Sequence, residues 1–152
     1  MPLARIGLGA NLGDAAAQIE RALAALGALG TVRARSRLYR SKPWGVTDQP
    51  PFVNAAALLE TALAPRRLLA ELKRLERELG RTPSARWGPR AIDLDILAYD
   101  DLELREPDLV IPHERLFERA FALVPLAEID ATYRPALAAL SPERLAEVSV
   151  LA

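Results

Sequence analysis

The run Arg86-Trp87-Gly88-Pro89-Arg90-Ala91-Ile92-Asp93-Leu94-Asp95-Ile96-Leu97 places two guanidinium groups, an aromatic ring and a carboxylate pair close together. Arginine presents a planar fork that matches phosphate oxygens. Asp93 and Asp95 are two residues apart, and Ile92, Leu94 and Ile96 alternate with them as in a half-buried strand. Side chains two apart on a strand project from the same face. Both carboxylates therefore point one way, while the aliphatic residues pack the other. Two like charges on one face repel unless a cation lies between them. Mg²⁺ is commonly held by one or two carboxylates together with substrate phosphates. The spacing predicts a site for a nucleoside triphosphate and its metal ions.

Other residues are candidates by type and place. Arg81, Arg86 and Arg90 lie on or beside a loop that also holds Pro83 and Gly88. A single loop arginine is ordinarily just solvated, but three converging on a carboxylate-bearing strand suit a triphosphate. His113 is the sole histidine; nothing near it has metal-ligand spacing, and the plain reading is structural. Phe52, Phe121, Trp44 and Trp87 lie beside expected loops, whereas Phe117 and Tyr133 are expected in the core. Asn54 carries both a donor and an acceptor for a polar heterocycle edge.

These residues need a scaffold. Leu3 to Leu8 reads as a first strand. Apolar positions at helical spacing (Ile19, Leu23, Leu26) predict a helix over 14–29, capped by Asp14 and stopped by Gly30. Val32 to Arg40 reads as a strand with one wet face, 41–51 as a loop, and Phe52 to Leu63 as a further strand. Pro65 to Leu79 predicts an amphipathic helix with Leu68, Leu72, Leu75 and Leu79 on one face and Gly80 at its end. After a loop over 81–89 comes the carboxylate strand, 91–99. The order βαββαβ is that of a ferredoxin-like core. A small hairpin (102–104 with 109–111), a helical stretch over 114–129 and a tail ending in a helix complete an α+β fold. The reading is one domain over residues 1–152.

Bulk properties narrow the field. The chain has 20 basic and 20 acidic residues, so it lacks the electrostatic footprint of a nonspecific nucleic-acid binder. Charge is nevertheless sorted along it. From Arg66 to Arg90 eight basic residues stand against three acidic ones, and from Ala91 to Asp108 seven acidic residues stand against Arg105 alone. A basic bank beside an acidic one suits a polyanion bridged by metal, although a solvated helix face followed by an acidic loop accounts for much of each run. There is no cysteine, hence no disulfide framework or thiolate site. No apolar stretch has the length of a signal peptide or membrane span, and a cytoplasmic protein is expected.

The carboxylate run resembles the signature R-W-G-P-R-x-[IL]-D-L-D of the 6-hydroxymethyl-7,8-dihydropterin pyrophosphokinase family. The likeness continues through Gly9-Ala10-Asn11-Leu12-Gly13-Asp14, Tyr39-Arg40-Ser41, Asp48-Gln49-Pro50-Pro51-Phe52-Val53-Asn54-Ala55, Gly80-Arg81, Ile111-Pro112-His113 and Arg119-Ala120-Phe121. The resemblance implies transfer of pyrophosphate from ATP to a pterin alcohol in folate biosynthesis, releasing AMP. It implies that Asp93 and Asp95 hold two Mg²⁺ ions, and that Arg81, Arg90 and Asp95 are catalytic, with Arg81 on a loop closing over ATP. ATP contacts are implied for Glu76, Arg86, Arg90, Ile96, His113 and Arg119. Pterin contacts are implied for Ser41, Trp44, Phe52, Asn54, Trp87 and Phe121, the two phenylalanines sandwiching the ring. The chain departs from the family pattern at Pro83, where many members carry another arginine, at Lys73, where glutamine is familiar, and at Lys42 and Trp44. The implied partners are the two small substrates, with neither nucleic acid nor membrane, and a monomer.

Two rival readings use the same residues. A metal-dependent phosphohydrolase would employ the aspartates with water as nucleophile, but would have no use for the aromatic pair and Asn54. An RNA recognition module shares the βαββαβ order but stacks bases on aromatics of its central strands, and Leu3 to Leu8 has none.

Overall fold

The computed structural model describes residues 1–43, 48–80 and 91–151. Strand β1 (Leu3–Ala10) leads into a turn in which Gly13 takes a φ of 55°, a left-handed conformation that suits glycine. Asp14 then caps helix α1 (Ala15–Leu26), its carboxylate accepting from the Ala17 N–H at 3.1 Å. The helix stops at Leu26, before the expected boundary, with Gly27 as its C-cap. Gly30 serves a different purpose from a helix stop: a Cβ there would lie 2.1 Å from the Glu60 carbonyl oxygen.

The expected strand over 32–40 is two strands, β2 (Thr31–Arg35) and β3 (Tyr39–Ser41). Buried Ser36 makes the break. Its N–H donates to the Ala56 carbonyl at 2.9 Å, and its hydroxyl accepts from the Ala56 N–H at 2.9 Å while donating to the Arg37 carbonyl at 2.7 Å. A side chain thus replaces a backbone group in the ladder and bends the edge.

Strand β4 (Phe52–Glu60), helix α2 (Pro65–Gly80) and strand β5 (Asp93–Tyr99) follow. Strands β6 (Leu104–Glu106) and β7 (Leu109–Ile111) form a hairpin as a separate two-stranded sheet, its first strand lying later than the expected 102–104. A 3₁₀ turn at Leu116–Glu118 precedes helix α3 (Ala120–Ile129), so the helical stretch expected over 114–129 is shorter and broken at Arg119. Short helices α4 (Arg134–Ala138) and α5 (Pro142–Leu145) come next. The tail does not end in a helix: β8 (Val148–Val150) pairs with β3.

The main sheet runs β5-β1-β4-β3-β8, with β2 also on β4, and every pairing is antiparallel. An α+β architecture built on an antiparallel sheet is therefore present. Helices α1 and α2 cover one face through Ile19, Leu23, Leu26, Leu68, Leu72 and Leu75, against Ile6, Leu8, Leu59, Leu94 and Ile96. The other face packs on α3 through Leu97, Leu116, Leu123, Leu126 and Tyr133. Phe117, expected in this core, is instead 52% exposed and stacks on Tyr133 at 6.5 Å; the 3₁₀ turn points Leu116 inward and Phe117 out. Arg5 ties β1 to the end of α3 by an ion pair with Asp130 at 3.0 Å.

Candidate functional site

On the α3 face, β1 and β5 lie antiparallel with Gly9 opposite Asp93 and Gly7 opposite Asp95. The glycines carry no side chain beside the carboxylates, and both border a cavity of about 210 Å³. Asp93 and Asp95 are half-buried and line it, whereas Leu94 and Ile96 between and beyond them are buried in the opposite core. The alternation expected of this strand is thus the one observed.

The register then changes, and Ala98 packs on the same side as Leu97. The β1–β5 register shifts between Arg5 and Ile6, pairing Ile6 with Ile96 and Arg5 with Ala98 and passing over Leu97. Such a bulge leaves one residue outside the ladder and re-aims a side chain. Leu97, two residues beyond Asp95 on the same face, also joins the cavity lining, and its side chain lies where a Cβ on Gly7 would approach to 3.1 Å. Its carbonyl accepts the His113 N–H at 2.9 Å. That bond ties the segment carrying His113 to β5.

His113 lines the cavity with Arg119. Burial pushes its ring below the ordinary histidine pKa; Asp95 pulls it up, Arg119 presses it further down, and Glu114 raises it. Its Nδ1 accepts the Arg115 N–H at 3.3 Å, which leaves Nε2 as the proton-bearing nitrogen of the neutral ring. The Arg119 guanidinium sits 5.4 Å over the Phe121 ring, a cation–π distance.

The third wall comes from β3 and β4. Ser41, Phe52 and Asn54 line it, with Lys42 and Gln49 beside them. Ser41 donates its hydroxyl proton to Asn54 Oδ1 at 2.5 Å, and both residues are buried. Phe52 and Phe121 stand on different elements, the start of β4 and the first turn of α3, and both border the cavity. One cavity thus combines acidic, basic, aromatic and amide groups.

Two expected ATP contacts lie elsewhere. Ile96 packs into the core under α2, on the face away from the cavity. Glu76, on α2, accepts the Leu94 N–H at 2.8 Å and pairs with Lys73 at 3.2 Å; it anchors the start of the carboxylate strand. Trp44, Arg81, Arg86, Trp87 and Arg90, together with the Pro83 departure, lie outside the described residues. Sequence reasoning missed Gly7, Gly9, Leu97, Lys42 and Gln49 as lining residues. A signal existed for the first two, because glycines alternating inside a strand mark close approach of a backbone or ligand, and for Leu97, which continues the face of Asp93 and Asp95 at the same alternation.

Among the described residues no cluster of three His, Cys, Asp or Glu side chains could enclose a metal ion. The paired carboxylates of Asp93 and Asp95, with no side chain opposite them, fit a hard cation that completes its shell with substrate oxygens and water. No helix among the described residues is long and apolar enough to cross a membrane.

Comparison with known proteins supplies the lineage. The family model described as 7,8-dihydro-6-hydroxymethylpterin-pyrophosphokinase (HPPK) matches residues 5–131. The 2-amino-4-hydroxy-6-hydroxymethyldihydropteridine pyrophosphokinase of Methylorubrum extorquens is 46% identical over 157 aligned positions, covering 97% of this chain and 99% of that protein. Its Bacillus subtilis namesake is 43% identical, covering 84% of this chain and 77% of that protein. The mitochondrial folate synthesis bifunctional protein of Pisum sativum is 44% identical over 84% of this chain, but the match spans only 25% of that longer protein. In structure, the HPPK-DHPS protein of Plasmodium falciparum matches with a TM-score of 0.64 at 17% identity, covering 85% of this chain and 40% of that one; this likeness concerns the fold. By family model and by identity over most of its length, the chain belongs to the 7,8-dihydro-6-hydroxymethylpterin pyrophosphokinases.

Proposed function

We propose that this protein transfers pyrophosphate from ATP to 6-hydroxymethyl-7,8-dihydropterin, giving AMP and the pterin diphosphate in folate biosynthesis. The observation that carries the reading, beside family membership, is that one cavity is lined both by Asp93, Asp95, His113 and Arg119 and by Ser41, Phe52, Asn54 and Phe121. The first group suits a metal-bound polyphosphate, the second a flat heterocycle with a polar edge. The hydroxymethyl oxygen attacks the β-phosphorus, the bond from that phosphorus to the α–β bridging oxygen breaks, AMP leaves with the oxygen, and the hydroxyl proton passes to water. Phosphoryl chemistry of this kind depends on positioning and charge neutralisation more than on a strong base.

Each residue has a place in this scheme. Asp93 and Asp95 are the residues that hold Mg²⁺, in two ions, which when bound offsets the charge of the triphosphate. Arg119 and neutral His113 donate to phosphate oxygens. Phe52 and Phe121 take the two faces of the pterin, and the Asn54 amide, aimed by Ser41, pairs with its edge. Roles for Arg81, Arg86 and Arg90 on the phosphates and for Trp44 and Trp87 on the pterin rest on the family motif. The same reading treats the chain as one domain with a ferredoxin-like core, supported by the strand order β5-β1-β4 with β2 paired to β4. The test is AMP release from ATP and Mg²⁺ with and without the pterin alcohol. Pterin-dependent AMP is expected; ADP as product, or ATP consumption indifferent to pterin, would exclude the proposal.

A further inference from the structure

Asn11 stands one residue beyond the last registered β1–β4 pair, Ala10 with Val53. It follows Gly7 and Gly9 at strand alternation, at the cavity end of β1, and is only 2% exposed. Its side-chain amide spends both protons on the turn leading into β4: Nδ2 donates to Gln49 Oε1 at 2.9 Å and to the Pro50 carbonyl at 3.1 Å. Its own Oδ1 is buried with no hydrogen-bond partner among the described residues. A buried acceptor left unsatisfied is destabilising, so stability alone does not explain an asparagine here. What the residue supplies is a pair of donors, and both hold the two residues that begin the approach to Phe52. Gln49 itself borders the cavity.

We propose that Asn11 is a positioning residue for the heterocycle: it fixes the 49–50 turn and, through it, the stacking angle of Phe52. The inference rests on the functional reading above, because it takes Phe52 as a pterin contact. Asn11 touches neither substrate. Its effect is therefore confined to the pterin side of the cavity and disappears once the Phe52 ring is gone.

The experiment is a steady-state double-mutant cycle on the full chain, with ATP, Mg²⁺ and 6-hydroxymethyl-7,8-dihydropterin. Two lost hydrogen bonds predict that Asn11→Ala raises the pterin KM about tenfold, with the ATP KM and kcat held within about twofold. On a Phe52→Ala background the same substitution changes the pterin KM by less than about twofold. Asn11→Asp keeps the shape but removes both donors and sets a carboxylate against the Pro50 carbonyl; it gives the same result and carries the test should Asn11→Ala fail to fold. Parallel weakening of both substrates, an unchanged pterin KM, or a full effect that persists without the Phe52 ring overturns the proposal. Phe52→Ala with a normal pterin KM would instead show that the underlying functional reading, not the Asn11 link, had failed.

Discussion

Ser41 and Asn54 meet diagonally across β3 and β4, the serine hydroxyl donating to the amide oxygen at 2.5 Å. The bond commits Oδ1 and turns Nδ2 toward β1, where a Cβ on Gly9 would come within 3.1 Å of it. An amide locked in this way presents its donor side at fixed orientation. Ser41→Ala releases the lock, and pterin affinity is expected to fall by about 0.5–1.5 kcal/mol. Asn54→Ala removes the partner itself and should cost about 1–3 kcal/mol. Calorimetry with a pterin analogue and a nonhydrolysable nucleotide reads both.

The half-buried carboxylates of Asp93 and Asp95 share one strand face. Removing one takes away a group that, on the proposed reading, would hold the metal of the triphosphate complex. Asp93→Ala and Asp95→Ala are each expected to abolish AMP formation in Mg²⁺ while thermal unfolding stays cooperative. Either variant retaining near wild-type turnover would remove that residue from the metal site.

Two glycines separate binding from stability. At Gly9 a new methyl would meet the Asn54 amide nitrogen, but at Gly30 it would meet the Glu60 backbone carbonyl at 2.1 Å. A side-chain amide can give way; a central strand cannot. Gly9→Ala should cost less than about 1.5 kcal/mol of stability and still weaken pterin binding, whereas Gly30→Ala should cost about 3 kcal/mol or more. Urea unfolding beside pterin titration separates them.

The Arg5–Asp130 pair makes a pH prediction. Burial raises the Asp130 carboxyl, but hydrogen bonds from Arg5 and Thr132 outweigh it and hold its pKa below the ordinary value. A carboxyl depressed in the folded state stabilises the protein above its unfolded pKa, about 3.9, and that contribution is lost as pH falls through the folded value. Asp130→Asn is expected to cost about 1.5–3 kcal/mol at neutral pH. The gap between variant and wild type should close as pH drops below about 3.9. A gap independent of pH would assign the loss to packing instead.

Much of the scaffold was legible because its elements are locally consistent. The leucine spacing of α2 and the alternation around Asp93 each follow from one period, and the structure keeps both. What was hidden depends on partners distant in sequence. Val148-Ser149-Val150 becomes a strand because the β3 edge needs a partner, in a tail whose composition suits helix as well. The register shift of β5 on β1 that passes over Leu97 leaves no mark in the residues themselves. Phe117 reads as core by type, yet a single 3₁₀ turn faces it outward.

The placement of β1 between β4 and β5 governs what a nascent chain can do. Leu3 pairs with Glu60, but Ala4 must wait for Tyr99, and Tyr39 for Val150. Until the segment carrying Asp93 and Asp95 leaves the ribosome, the outer edge of β1 is an open row of backbone donors and acceptors, with Gly7 and Gly9 offering no side chain to guard it. Exposed edges of that kind recruit other strands, and long-range closures are the slow ones. The glycines that leave room for a ligand in the finished enzyme thus make the half-synthesised one vulnerable to aggregation, and the carboxylate strand ends that exposure when it docks.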